Sequence, residues 1–172
     1  MMNRLDKKCG KNEEKQVAEK KNSRENSRKI TEKMKKYRIG GKGKRSMIMI
    51  IGGAYQGKLA FAKKIYPDVT WADGAVCTEE ELYSCEGIYH FHQYIERKIK
   101  EGEPIDDLAE ELIRKNPELI LITDEIGYGI VPVDRMEREY REQTGRVCTR
   151  LAAYSEKVYR VMCGIGQVIK EV

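Results

Sequence analysis

The stretch of sequence that decides the fold is Met47-Ile-Met-Ile-Ile-Gly-Gly-Ala-Tyr-Gln-Gly-Lys-Leu59. Its first five residues form an apolar run that passes directly into glycines, which is typical of a strand buried on both faces of a parallel sheet. After the glycines, apolar residues recur at helical spacing until Pro67, which predicts a helix over 58–66. The stretch therefore predicts a strand, a glycine-rich turn and a helix in direct succession.

The turn between this strand and this helix has the pattern of a phosphate-binding loop, G-x-x-x-x-G-K. Glycines let backbone N–H groups surround a polyphosphate, the helix N-terminus adds partial positive charge, and Lys58 can reach the β and γ oxygens. Leu59 stands where such loops carry a Ser or Thr that ligates Mg²⁺. The alternative is a glycine-rich turn with a chance lysine. The predicted nucleotide-binding residues of this loop are Gly52, Gly53, Ala54, Tyr55, Gln56, Gly57, Lys58 and Leu59.

The rest of the chain alternates short apolar runs with amphipathic stretches. Strands are predicted over 69–71, 119–123 and 158–163, with a short pairing strand at 168–169. Thr78, followed by three glutamates, predicts a capped helix start. Further helices are predicted from the spacing of Ile88, Phe91, Ile95 and Ile99, from Pro104 to Asn116, and from about Asp134. This alternation predicts an α/β fold with a mainly parallel sheet covered by helices on both faces.

Two carboxylates follow the clearest strand of the chain, the apolar run Leu119–Thr123. Asp124 resembles the strand-end carboxylate that holds Mg²⁺ through water in phosphate-loop enzymes. Glu125 is predicted to serve as a base or as the replacement metal contact for the missing hydroxyl. The alternative for both residues is an acidic helix cap or an ordinary loop pair.

Charge divides the chain into two regions. Residues 1–46 contain 17 Lys and Arg against 6 Asp and Glu, whereas residues 47–172 contain 16 against 22. The first region has few apolar residues, which predicts a basic and disordered arm over 1–46, followed by a nucleotide-binding domain over 47–172. Because Tyr37 is the only aromatic residue of the arm, nucleic-acid binding is not expected.

The sequence has no apolar stretch of membrane-spanning length and no secretory-signal pattern at its start. Its five cysteines include no C-x-x-C pair, and an odd number at irregular spacing is a poor disulfide framework. We therefore expect reduced thiols and a cytoplasmic protein.

Four strings stand out in the second half of the chain. They are Thr123-Asp-Glu-Ile-Gly-Tyr-Gly-Ile-Val-Pro132, Tyr140-Arg-Glu-Gln-Thr-Gly-Arg-Val147, Arg150-Leu-Ala-Ala153 and Val161-Met-Cys-Gly-Ile-Gly-Gln-Val-Ile-Lys170. In this order they resemble the adenosylcobinamide kinase/adenosylcobinamide-phosphate guanylyltransferase family. The phosphate loop also matches the family's Gly-Gly-Ala-x-x-Gly-Lys start, so the resemblance covers about 47–65 and 118–170. Asp124 stands where the family usually has Asn, while Glu125 matches.

The resemblance implies a RecA-like phosphate-loop fold and a homo-oligomer with nucleotide sites near subunit contacts. It also implies two reactions on the aminopropanol arm of a corrinoid, using Mg²⁺ with ATP or GTP. In the first, a nucleoside triphosphate phosphorylates the hydroxyl of the arm. In the second, GTP transfers GMP to that phosphate through a histidine–GMP intermediate. The family's paired histidines, followed by Lys-Asp-Gly-Arg-Pro, have no counterpart in this chain.

His90 and His92 are the only histidines of the chain. A neutral imidazole is a reasonable nucleophile for nucleotidyl transfer, so His90 is predicted to be catalytic together with Lys58 and Glu125. The alternatives are a solvent-facing His90 and, for His92, a core-edge histidine with one hydrogen bond. Arg146 is a candidate nucleotide contact, with an ordinary surface arginine as its alternative.

Three functions compete at this point. The first is a nucleotide-dependent kinase of the corrinoid arm, in which guanylyl transfer is lost or rebuilt on a histidine. The second is a non-catalytic nucleotide-binding protein in which Leu59 has weakened the metal site. The third is a nucleic-acid-associated NTPase that uses the basic arm.

Overall fold

A computed structural model describes residues 46–172, so the arm predicted over 1–46 lies, but for Ser46, outside the described residues. In the described part, short strands alternate with helices along the chain. The strands are β1 (Ile48–Gly52), β2 (Trp71–Asp73), β3 (Gly87–Tyr89), β4 (Ile120–Asp124), β5 (Lys157–Met162) and β6 (Ile165–Glu171). The helices are α1 (Lys58–Ile65), α2 (Glu79–Ser84), α3 (Phe91–Lys100), α4 (Leu108–Lys115) and α5 (Arg135–Tyr154).

The strands form one sheet in the order β2-β3-β4-β1-β5-β6. All neighbouring strands run parallel except β6, which pairs antiparallel with β5 at the edge. β1 lies in the centre, and its last residue, Gly52, is the register partner of Asp124 at the end of β4. The predicted α/β fold with a mainly parallel sheet is confirmed, and the phosphate loop and the acidic pair leave the sheet at the same edge.

Alternate residues of the central strands supply two separate cores. Ile50 and Ile122 pack with Ala62 of α1 on one face, where the partly buried Leu59 and Phe61 also pack. Met49 and Leu121 face the other side, where residues of α3, α4 and α5 cover them. Helices therefore cover both faces, as the period-2 burial of a parallel sheet requires.

Two helices begin at the capping residues that the local sequence predicts, and a third begins later than expected. Thr78 and Glu81 form a reciprocal capping box at the start of α2, which confirms the predicted cap. Asp134 caps α5 through the Glu137 N–H. The helix predicted from Pro104 begins only at Leu108, so this expected start was wrong by one turn.

The strand β3 was not predicted from the sequence. Ile88 lies three residues before Phe91 and matches the apolar spacing of α3, but the structure places it in a strand and not on the predicted helix. A three-residue strand is too short to show a period of its own, and its pairing with β2 and β4 decides it. Over residues 46–172, no helix combines the length and apolarity needed to cross a membrane.

Candidate functional site

The loop between β1 and α1 contains two residues in the left-handed region. Tyr55 has φ 58° and Gly57 has φ 78°, and such turns let successive N–H groups point into one concavity. Gln56 ties the loop to the turn between β5 and β6, because its Oε1 accepts from the Cys163 N–H at 2.7 Å and its carbonyl accepts from the Gly164 N–H at 2.9 Å. Contacts within the protein therefore hold the loop in shape.

The remaining loop residues differ in the space around them. Gly52 ends β1 so close to its neighbour that a Cβ there would lie 2.3 Å from the Val161 carbonyl oxygen. Ala54 and Tyr55 form the exposed tip, where the Tyr55 side chain contacts little of the protein. The loop thus requires glycine where it leaves the sheet and exposes its tip to solvent.

Lys58 is the charged centre of this region. Its side chain is buried, and its Nζ donates to the Gly53 carbonyl at 2.6 Å and lies 2.7 Å from Asp124 Oδ1. A buried ammonium with charged and polar partners can bind phosphate oxygens at small reorganisation cost. The structure therefore brings together two of the residues predicted for the site, Lys58 and Asp124.

His92 binds the backbone at the end of β4, next to the Asp124 carboxylate. It is buried, and its Nδ1 accepts a hydrogen bond from the Asp124 backbone N–H at 3.2 Å. Burial lowers the pKa of His92. The charge of Asp124 raises this pKa, whereas the charges of His90 and Lys58 lower it further. A neutral ring whose Nδ1 accepts a hydrogen bond carries its proton on Nε2. His92 is thus the core-edge histidine of the alternative interpretation, and it orients the end of β4.

His90 lies at the next position of the same sheet edge, between β3 and α3, with φ 54° and an exposed ring. Its Nδ1 lies 3.0 Å from Oδ1 of Asp73, the last residue of β2. When Nδ1 donates to this carboxylate, the lone pair of Nε2 is left free to act as a nucleophile or base. The centroids of the His90 and His92 rings are 6.0 Å apart, which brings His90 close to the Lys58–Asp124 pair.

Asp73 is a site residue that the sequence analysis missed. Burial alone would raise its pKa, but hydrogen bonds from the Ala75 N–H and from His90 outweigh this and hold the pKa below its usual value. The following residue, Gly74, lies so close to His90 that a Cβ would be 2.5 Å from the His90 carbonyl oxygen. The available signal was an acidic residue at the end of a strand directly before a glycine.

Glu125 has a different environment from Asp124. Arg160 of β5 binds its carboxylate through Nε at 3.2 Å, and the Arg160 Nη2 also donates to the Tyr128 hydroxyl at 3.0 Å. The hydrogen bond with Glu125 raises the pKa of Arg160. Arg160 was not predicted, because it reaches Glu125 only through the sheet order that places β5 next to β1 and close to β4. Tyr128 was not predicted either, because its role here depends on its contact with Arg160.

Two other predicted site residues lie away from this cluster of charges. Leu59 is half buried and packs into the core on the α1 side, so it offers no ligand atom. Arg146 lies on the exposed side of α5 and forms an ion pair with Glu142 at 2.6 Å, which is the surface position of its alternative interpretation.

The donor set limits how a metal could bind here. Within residues 46–172, no three His, Cys, Asp or Glu side chains come together as a metal cage. Mg²⁺ at nucleotide sites commonly uses only one or two carboxylates, with phosphates and waters completing its shell. Asp124 fits that requirement beside the phosphate loop, whereas Glu125 would have to leave Arg160 to join it.

Comparisons with known proteins point to one family. A family model described as cobinamide kinase / cobinamide phosphate guanyltransferase matches residues 81–169, just over half of the chain. The bifunctional adenosylcobalamin biosynthesis protein of Salmonella typhimurium is 44% identical over 70 residues, which are 38% of this chain and 39% of that protein. The protein of the same description from Escherichia coli is 46% identical over 52 residues, 30% of this chain and 29% of that protein. The matches thus span less than half the length of these relatives.

Proposed function

This chain belongs to the cobinamide kinase / cobinamide phosphate guanyltransferase family, and from that premise we propose that it transfers a phosphoryl group from a nucleoside triphosphate to the hydroxyl of a cobinamide-type corrinoid. The observation that carries this proposal is the contact between Lys58 and Asp124 at the mouth of the phosphate loop. This contact supports the proposal because it joins a buried cation and a carboxylate at the edge of the sheet where the loop, over residues 52–59, would hold the triphosphate.

In the phosphoryl step, the acceptor oxygen attacks the γ-phosphorus, a new O–P bond forms, and the bond between that phosphorus and the β–γ bridging oxygen breaks. The nucleoside diphosphate leaves, and Glu125 accepts the hydroxyl proton. Lys58 stabilises the charge that develops on the phosphate oxygens. Such transfers depend mainly on positioning and charge stabilisation. The ion pair with Arg160 holds the Glu125 carboxylate in one orientation at the end of β4.

Mg²⁺ is part of this proposal. Asp124 would hold it together with the phosphates and several waters, and Glu125 would be a further ligand only after release from Arg160. When bound, the ion would neutralise charge on the β and γ phosphates. Leu59 supplies no ligand to the metal. This absence also supports a competing function, a non-catalytic nucleotide-binding protein, which would bind nucleotide equally well without Mg²⁺.

We place a guanylyl transfer step on His90. Its Nε2 would attack the α-phosphorus of GTP, forming an N–P bond while the bond to the α–β bridging oxygen breaks and pyrophosphate leaves. An oxygen of the phosphorylated corrinoid would then attack the same phosphorus and release the histidine. Asp73 would keep the ring proton on Nδ1 throughout, as the hydrogen bond at 3.0 Å favours.

The proposal extends to assembly and location. A series of exposed apolar side chains follows β4, at Tyr128, Ile130, Val131, Val133 and Met136. Exposed apolar patches of this kind commonly mark protein interfaces, which supports a homo-oligomer. A cytoplasmic location and an N-terminal arm without a catalytic role remain parts of the same proposal. Arg146 is retained as a nucleotide contact only if an oligomer brings it to a neighbouring site.

The test uses GTP carrying a label on either the α- or the γ-phosphorus, incubated with the full chain, Mg²⁺ and adenosylcobinamide. A γ-label on the corrinoid supports the kinase, and an α-label on the corrinoid supports guanylyl transfer. An acid-labile α-label on the protein that disappears in His90→Asn supports His90 as the acceptor, with His92→Asn as the matched comparison. Nucleotide binding without either labelled product would favour the non-catalytic alternative.

A further inference from the structure

The turn that follows β2 holds Asp73 beside His90. Asp73 is the last residue of β2, a three-residue strand at the edge of the sheet that pairs with β3. Its Oδ1 lies 3.0 Å from His90 Nδ1 and accepts a hydrogen bond from the Ala75 N–H at 3.0 Å. So short an edge strand gives little support of its own. The position of the Asp73 carboxylate therefore depends on the turn over residues 73–77.

Backbone hydrogen bonds connect this turn to β2 and β3. The Gly74 N–H donates to the Tyr89 carbonyl at 2.8 Å, and the Cys77 N–H donates to the Asp73 carbonyl at 2.8 Å. These bonds use the N–H groups of Gly74 and Cys77. The carbonyl oxygens of the same two residues are bound by a side chain, that of Arg97.

Arg97 reaches the turn from α3. Its Nη2 donates to the Cys77 carbonyl at 2.6 Å and to the Gly74 carbonyl at 3.3 Å. Arg97 lies seven residues after His90, the residue that precedes α3, and two helical turns bring both residues to the same side of the helix. One helix therefore begins at His90 and, two turns later, supplies the cation that binds the turn of Asp73.

The surroundings of Arg97 contain no carboxylate partner. Within residues 46–172 its guanidinium forms no ion pair, its Nε is buried without a hydrogen-bond partner, and its Cζ lies 5.5 Å from the centre of the Tyr94 ring. Removing a charge from water is unfavourable unless polar groups compensate it, so an apolar side chain would suit this position better if packing were the only requirement. The contacts that an apolar side chain could not make are those with the two carbonyl oxygens.

We propose that Arg97 is a positioning residue for His90: by holding the turn over residues 73–77, it keeps the Asp73 carboxylate on His90 Nδ1 and leaves the lone pair of Nε2 free. The inference rests on the proposed function, because this Nε2 is the atom proposed to attack the α-phosphorus. Arg97 touches neither nucleotide nor acceptor in this role. Without its guanidinium, Asp73 can move away with the turn, and the His90 ring can carry its proton on Nε2 instead.

The test measures the tautomer of His90 directly. Full-length protein with ¹⁵N-labelled histidine is studied without nucleotide at about pH 8.5, where an ordinary imidazole is neutral, and two-bond ¹H–¹⁵N spectra distinguish a protonated ring nitrogen from one with a lone pair. His90 and His92 are the only histidines of the chain, so protein without a histidine tag gives two sets of signals, which His90→Asn assigns. His92 is the internal control, because its Nδ1 accepts from the Asp124 N–H and its proton therefore lies on Nε2.

The variants separate the hydrogen bonds of Arg97 from its bulk. Arg97→Met keeps an apolar stem and removes the donors, Arg97→Lys keeps a charged donor, and Asp73→Ala removes the carboxylate itself. Lys100→Met is the matched control, because Lys100 is an exposed cation in the last turn of the same helix. If Arg97→Met does not fold, Arg97→Gln replaces it, since glutamine ends at the position of Nε and cannot reach the two carbonyl oxygens.

We expect the ratio of the Nδ1–H to the Nε2–H form of His90 to fall about tenfold in Asp73→Ala and about threefold or more in Arg97→Met, because a charge-assisted hydrogen bond is lost or weakened. The ratio should stay within about twofold of the original in Arg97→Lys, which keeps a charged donor, and in Lys100→Met, which loses only a surface pair. The His92 signals should stay unchanged in all of them. An unchanged His90 ratio in Arg97→Met, or an equal change at His92, would overturn the inference.

The assay with labelled GTP supplies a second measurement. Arg97→Met should lower the α-label bound to the protein and leave the γ-label on the corrinoid unchanged, because the phosphoryl step does not use His90. An equal loss of both labels would show a general structural effect and overturn the inference. If the original protein takes up no α-label, guanylyl transfer is contradicted, and the tautomer measurement still decides the role of Arg97 because it uses no nucleotide.

Discussion

Replacing Lys58 by methionine should weaken triphosphate binding without unfolding the domain. Methionine keeps much of the apolar stem of lysine and removes the ammonium that lies between Gly53 and Asp124. The two contacts of 2.6 and 2.7 Å, and a side chain only 7% exposed, identify Lys58 as an ordered cation at the mouth of the loop. The variant therefore tests the phosphate-loop assignment at its charged residue.

The expected magnitude follows from these contacts. A charge-assisted hydrogen bond contributes about 1.5–3 kcal/mol, which corresponds to a Kd about 10- to 150-fold larger. The variant also leaves the Asp124 carboxylate without its cation next to the triphosphate, which shifts the expectation toward the upper end. In the absence of Mg²⁺, for which Asp124 is the proposed ligand, the double variant Lys58→Met/Asp124→Asn should recover part of the lost affinity, because it removes both charges.

Calorimetric titration with GTP, at fixed Mg²⁺ and in its absence, measures the effect. Lys64→Met is the matched control, because Lys64 lies exposed in the last turn of the same helix, α1. Thermal unfolding followed by circular dichroism establishes that each variant is folded. A folded Lys58→Met protein with a Kd within twofold of the original would refute the assignment of the loop.

Three other perturbations test separate parts of the structure. Leu59→Ser should lower the Mg²⁺ concentration needed for half-maximal turnover by about fivefold, because the serine hydroxyl adds a metal ligand. The loss of the leucine's core contacts should lower the unfolding free energy by about 1–2 kcal/mol. An unchanged Mg²⁺ requirement would contradict the predicted metal position. Burial lowers the pKa of His92 below its usual value of 6.5. As the pH falls through 6.5, His92 is therefore protonated in the unfolded chain before it is protonated in the folded protein. The free energy of unfolding should then decrease below pH 6.5 and stay at its full value above it. Chemical denaturation across pH 5–8 should show a smaller decline for His92→Gln, and an identical decline would exclude His92 as its source. Gly166→Ala should lower the unfolding free energy by about 1–3 kcal/mol, because the new Cβ would lie 2.0 Å from the Phe61 ring. The control Gly145→Ala should not destabilise the protein, because the space around its new Cβ is open. Equal effects of the two substitutions in urea titrations would rule out the steric explanation.

Short-range signals determined much of the fold from the sequence alone. The apolar runs that became β1 and β4, the glycines of the phosphate loop, the capping box before α2 and the acidic cap before α5 each act within a few residues. Their physical causes are the burial of apolar strand residues, the left-handed φ angles of the loop and side-chain hydrogen bonds to free N–H groups at helix starts. Each of these causes depends only on residues that are neighbours in the chain. The motif strings also identified the family that the comparisons report.

The tertiary structure alone decided which polar groups meet at the sheet edge. Asp73 and His90 are 17 residues apart, and Glu125 and Arg160 are 35 apart. Asp73 and His90 meet because β2 and β3 pair in parallel, which brings their carboxyl ends to the same edge. Glu125 and Arg160 meet because the sheet order β4-β1-β5 differs from the order of these strands in the chain. A cavity of about 370 Å³ under α5 depends in the same way on the packing of α5 against β4 and β1, which no local pattern encodes.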